Sequence, residues 1–130
     1  MKNIRCFFSL LAVCILPVFS ACGMSPKPVD ITKSFFTAFQ SSDYEAMKNF
    51  CTDSCIDSFF HKGDVDGMVW AKLTDIDEET FDGDKCSISV SVKMETAENS
   101  ALYPDTETSF FVVLIKDKNG SWLIDDFPTG

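Results

Sequence analysis

The sequence predicts an α+β domain in which N-terminal helices pack on a curved antiparallel sheet. Three observations carry this. Between Asp30 and His61 apolar residues recur at steps of three and four, the spacing of one helix face. After Gly67 they alternate with polar residues, the spacing of a half-buried strand, and near the C-terminus an Asn-Gly step divides two apolar runs as in a tight hairpin. Helices first and strands afterwards sort into two layers sharing one core. A chain of 130 residues supports one such core, expected over residues 30–130.

The elements follow in order. Ile31, Phe35, Phe36 and Phe39 share a helix face behind Asp30 as N-cap, and that helix ends near Gln40-Ser41. Ser42-Asp43-Tyr44-Glu45 has the Ser-x-x-Glu form of a capping box and opens a second helix with Ala46, Met47 and Phe50 inward. Asp53 to His61 sets Ile56, Phe59 and Phe60 together, with Thr52 or Asp53 as cap and Lys62-Gly63 as stop. Val69 to Ile76 reads as a strand. Cys86, Ile88, Val90, Val92 and Met94 alternate with Ser87, Ser89, Ser91, Lys93 and Glu95, a second strand reached through a turn at Asp82-Gly83. Phe110 to Ile115 is continuously apolar, and Asp117-Lys118-Asn119-Gly120 turns it into a last strand at Trp122-Leu123-Ile124.

Ahead of the domain, Lys2 and Arg5 precede a 14-residue apolar run, Cys6 to Phe19, too short for a membrane span of about 20 residues and of the length of a secretory signal. The ending Phe19-Ser20-Ala21-Cys22 resembles the lipobox of bacterial lipoproteins, in which small residues precede a Cys that takes a diacylglycerol before cleavage. The resemblance implies a signal peptide over 1–21 and acylation at Cys22. It also implies a place on the extracytoplasmic side of the cell envelope, in the outer or the cell membrane. Gly23, not Asp, after Cys22 permits outer-membrane sorting. Residues 22–29, with Gly23, Ser25, Pro26 and Pro28, read as an extended tether. Removing Lys2 and Arg5 with the leader takes the net charge from −9 to −11 and leaves no Arg. That balance repels phosphate backbones and excludes nucleic acid as a partner.

Two stretches carry a further resemblance: Phe39-Gln40-Ser41-Ser42-Asp43-Tyr44-Glu45-Ala46-Met47 at the first helix corner, and Lys118-Asn119-Gly120-Ser121-Trp122-Leu123-Ile124-Asp125-Asp126-Phe127 at the end. Together with the element order, the domain looks like the nuclear transport factor two-like (cystatin-like) superfamily, and within it the lipoprotein-borne bacterial members. The resemblance implies a cone-like fold and, commonly, two sheets packed face to face. It assigns no chemistry, because this scaffold hosts isomerases, dehydratases, ligand binders and dimerisation modules alike.

Family enzymes place a His or paired carboxylates inside the cone. Here the one His, His61, falls at a helix end, where a solvated imidazole is the expectation, and the inward positions of the alternating strand hold neither acid nor base. Tyr44, Asp43 and Asp126 remain as acid–base candidates, each with a corner or cap to hold. No catalytic residue and no cofactor is expected. The acidic stretch Asp75 to Asp84 fails as a calcium loop: Thr80 stands where the turn Gly belongs and Cys86 where the closing Glu belongs, so no metal is expected. Beyond the leader and Cys22, three Cys remain. Cys86 is expected to pair with Cys51 or Cys55, closing a loop of about 31 to 35 residues, with a Cys51–Cys55 bridge or free thiols as the other outcomes. Phe110 to Ile115 puts three apolar residues on each face of the sheet, and the chain's own helices cover only one. A homodimer through the sheet face is expected, with a partner protein as the alternative. The functional expectation is a non-catalytic binding module. It would hold a small apolar molecule in a pocket lined by Phe35, Phe39, Tyr44, Met94 and Trp122, or an envelope protein on the sheet; a structural dimerisation domain is the alternative.

Overall fold

The computed structural model describes residues 25–98 and 107–128; the leader expected over 1–21, Cys22 and the first residues of the tether lie outside them. Three helices come first: α1 (Pro28–Gln40), α2 (Tyr44–Lys48) and α3 (Asp53–Phe59). The strands are β1 (Phe60–His61), β2 (Asp64–Val65), β3 (Met68–Ile76), β4 (Thr80–Asp82), β5 (Lys85–Thr96), β6 (Glu107–Lys116) and β7 (Trp122–Asp126). They make one antiparallel sheet in the order β1-β2-β3-β5-β6-β7, with β4 paired to β5 past the end of β3. The sheet curls into a half barrel with helices packed on it, the expected α+β cone-like architecture. Among the described residues no helix is long and apolar enough to cross a membrane.

Helix boundaries differ from expectation where the caps do. Pro28 occupies the first turn of α1, where its fixed φ fits and its missing N–H costs nothing. Asp30 is therefore the third helical residue, and its carboxylate accepts from the Lys27 amide at 3.2 Å. The expected tether ends two residues early. At the next corner Ser42 takes a left-handed φ of 53°, and Asp43, one residue later, caps α2 by accepting from the Ala46 amide at 3.1 Å. Thr52 caps α3, as the sequence suggests. The short strands β1, β2 and β4 have too few residues to show a period, and the sequence does not reveal them.

The core is an aromatic cluster between α1 and the sheet. Phe35, Phe36 and Phe39 are fully buried, and β5 and β6 answer with Ile88, Val90, Val92, Met94, Val112 and Leu114. Phe35 lies 5.1 Å from Phe36 and 5.6 Å from Phe127, which in turn meets Phe59 at 5.2 Å and Phe110 at 6.2 Å. The Phe35–Phe127 pair is tilted and the other three are edge-to-face, and aromatic pairs of this kind add about 0.5–1.5 kcal/mol each beyond area burial.

Curl comes from irregular register. In β3 the pairing with β5 slips between Met68 and Trp70 and again between Leu73 and Asp75, and β7 slips against β6 near Asp125. Each extra residue bends its strand and raises the local twist. The slip in β7 also turns Asp125 toward α3, where it accepts from the Thr52 hydroxyl at 2.8 Å while Thr52 accepts from the Cys55 amide.

Residues in and just beyond β3 clamp both ends of α1. The Val29 amide, unsatisfied within the helix, donates to the Glu79 carboxylate at 3.0 Å, and the Trp70 indole donates to the Gln40 carbonyl. An acidic group at a helix start also meets the positive end of the helix dipole. Glu79→Ala is expected to cost about 1–2 kcal/mol, lowering the thermal midpoint by roughly 4–8 °C per kcal/mol. Circular-dichroism melting checks this, and an unchanged midpoint contradicts it.

Candidate functional site

The residues expected to line one pocket do not enclose a common cavity, although Phe39 touches both Phe35 and Tyr44. Phe35, Phe39 and Met94 are spent on the core, each at most 2% exposed. The reason is volume: the half barrel is narrow and α1 sends three Phe rings into it, which fills the space a ligand would need. Tyr44 and Trp122 line two separate surface clefts at opposite ends of the sheet. Among the described residues the interior is packed at the place of the expected pocket, and the clefts lie outside it.

Tyr44 stands at the end where α1 gives way to α2. Its ring packs edge-on against Phe39 at 6.4 Å, and its hydroxyl donates to the Val69 carbonyl with the Gly63 carbonyl at 3.2 Å. Burial pushes its phenol pKa up, the Asp64 carboxylate adding to the rise and a hydrogen bond with Ser42 opposing it. Next to it, His61 Nδ1 lies 3.1 Å from Asp64 Oδ1, which also accepts from the Gly67 amide at 3.0 Å. The cleft here, about 490 Å³, includes Tyr44, Lys48, Asp57 and His61. A His–Asp pair orients an imidazole, yet Asp64 is committed to the Gly67 turn and Tyr44 to backbone carbonyls, and 59% of the His61 side chain is exposed. These contacts fasten a turn; they do not align an acid, a base and a nucleophile. Asp43 caps α2 and Asp126 lies in β7, so neither joins them.

The acidic stretch is divided among three elements. Asp75 belongs to β3, Asp82 to β4, and Glu79 between them holds the start of α1. Among the described residues no three His, Cys, Asp or Glu side chains converge as a metal site.

Sheet register sets Cys86 apart from Cys51 in this structure. Cys51 bridges to Ile124, Ile124 pairs with Leu114, and Leu114 with Cys86. Three strand spacings, on the order of 14 Å along the sheet, separate Cys86 from Cys51, beyond the Cα separation of about 7 Å that a disulfide tolerates. The adjacent thiols are Cys51 and Cys55, and all three cysteines are free and buried in this structure. The Cys55 thiol is held protonated by its hydrogen bond with Cys51, by burial and by the nearby Asp125 and Asp126 carboxylates.

The second cleft, about 440 Å³, lies at the other end, where the chain enters the fold. Phe81 and Trp122 face each other edge-on at 5.7 Å, Lys116 Nζ sits 5.3 Å from the Trp122 ring, and Ser25 to Pro28, Glu79 and Gly120 form the remaining wall. On the outer face of the sheet Phe111 is 52% exposed, opposite Ser89. The cleft has no signal in the sequence, because its walls come from segments far apart in the chain. The exposed row on β6 does have one, its unbroken apolar run.

Cys86 is pushed from an ordinary value near 9.0 to about 11, chiefly by burial with Glu79 adding, while Tyr44 and Cys55 are also raised. The unfolded chain therefore releases these protons first. The stability that Cys86 supplies in this way is complete below about pH 9 and is lost as pH climbs through about 11. Denaturant midpoints measured across that range should fall steadily, and a flat profile contradicts the buried, protonated placement of these groups. The chain matches no model of a known protein family and no curated protein.

Proposed function

We propose that this chain is a lipid-anchored, extracytoplasmic interaction module that associates with a second copy of itself through the outer face of its sheet and performs no chemistry. The observation that carries the reading is the division of its apolar residues. The inner face is saturated by α1 and its rings, while β6 presents Phe111, Val113 and Ile115 on the other face, with Leu123 of β7 opposite Ile115. Beside this row β5 supplies the small Ser89 and Ser87 opposite Phe111 and Val113, with Lys85 opposite Ile115.

A bulky row beside a small one is self-complementary under a twofold axis, since each Phe111 would lie over the serine row of the other copy. The resemblance to nuclear transport factor two-like domains, which commonly pair sheet to sheet, supports the same reading. The lipobox-like ending at Cys22 supports the anchor. A small apolar ligand is the less favoured reading, because the Phe cluster occupies the space inside the cone.

Native mass spectrometry of the acylated full chain, released from membranes in detergent, should give a dimer. Phe111→Ser removes two half-exposed rings from the interface, roughly 2–3 kcal/mol, and should weaken the dimer on the order of 100-fold with the melting midpoint of the domain kept. A monomeric parent protein, or a dimer indifferent to Phe111, contradicts the proposal.

A further inference from the structure

The cleft at the chain entrance faces whatever holds the N-terminus. Ser25 and Pro26 form its wall, and Cys22 is three residues before Ser25, a reach of about 10 Å even with the chain fully extended. The domain is therefore held by its near end, the end that carries the start of α1, the β4–β5 turn and the β6–β7 turn. The Tyr44–His61 corner is on the order of 30 Å away along the strands.

That near end carries an aromatic display that the core takes up only in part: Trp122 packs against the core and Phe81 does not. Strand β4 is three residues long and exposed throughout, and it holds Phe81 out with 55% of its surface in solvent. Phe81 contacts the half-buried Trp122, Lys116 lies over the Trp122 ring, and Lys27 completes the rim. An apolar ring beside an indole, with two lysines at the same cleft and one ammonium over the indole, matches the layered chemistry of a phospholipid interface, where hydrocarbon, amphipathic and phosphate zones succeed one another. The Glu79 carboxylate lines the cleft itself and Asp82 stands beside it on β4, so the match rests on the rings and not on net charge.

We infer that the Phe81–Trp122 platform docks on the phospholipid surface that holds the chain at Cys22, fixing the orientation of the domain so that the sheet stands out from the membrane. This rests on the acylation of Cys22 proposed above. A bilayer is favoured over a second copy as occupant because the anchor places it within reach of this cleft at all times, as an effective concentration no dissolved partner matches.

The test uses the full acylated chain in vesicles of phosphatidylethanolamine and phosphatidylglycerol, with phosphatidylcholine brominated near the headgroup end of its acyl chains as quencher. In a Trp70→Phe variant only Trp122 emits; in Trp122→Phe only Trp70, which belongs to the opposite end of β3, does. The expected result is a blue shift and quenching of Trp122 with Trp70 unaffected. Adding Phe81→Ser should abolish the Trp122 quenching while the protein still floats with the vesicles on its acyl chains. Intact mass and flotation separate the two readings. An acylated, vesicle-bound chain whose Trp122 is not quenched overturns the docking and leaves the anchor standing, whereas an unmodified Cys22 overturns both. Quenching of both Trp residues alike, or a Trp122 shift that appears without vesicles as protein concentration rises, assigns the platform to non-specific adsorption or to a second copy and also overturns the inference.

Discussion

Everything in this domain depends on the burial of one helix face, the Phe35, Phe36 and Phe39 side of α1, in the curl of the sheet. Those rings touch Phe110 from β6 and Phe127 from beyond β7, so a single helix ties the middle of the sheet to its C-terminal edge. Losing one such ring costs about 3–5 kcal/mol, against a total stability of about 5–15 kcal/mol for a domain. The clamps at Glu79 and Trp70 contribute less. They fix where along the sheet the helix sits, so that the rings arrive over Phe110 and Phe127.

The same burial constrains function. A cone whose interior is filled leaves recognition to its surfaces, and among the described residues the two large, half-exposed rings, Phe81 and Phe111, lie on different surfaces. Phe111 belongs to the broad outer face of the sheet and Phe81 to the end where the chain enters. An anchored domain that lies on the membrane by one end and offers a sheet face to a second copy uses both rings without conflict, because the two surfaces lie on different strands and point different ways.

Most of the fold is legible in the sequence because long elements carry a period. The alternation from Cys86 to Glu95 emerges as β5, with each expected inward residue buried, and the Phe spacing of α1 places its buried face correctly. What the sequence hides is local. Two-residue strands have no period, a capping choice between Ser42 and Asp43 turns on one backbone angle, and bulges in β3 follow from three-dimensional closure that no spacing reveals. The candidate site is less legible for a physical reason. Apolar residues that face inward look alike whether they line a cavity or fill it, and only the width of the half barrel decides. Glu79 reads as one carboxylate in an acidic run, and nothing in that run marks it as the partner of an amide fifty residues away.

Whether α1 and the sheet form one cooperative, solid core is measured most directly by native-state hydrogen exchange. Amides of α1 around Phe35 to Phe39 and of β5 around Ile88 to Val92 should exchange only through global unfolding, with the same free energy and the same denaturant dependence. Exchange of the α1 amides at clearly lower free energy than those of β5 would mean that the helix lifts from the sheet on its own. The interior would then open as a pocket, contradicting a solid core and the surface-only recognition that follows from it.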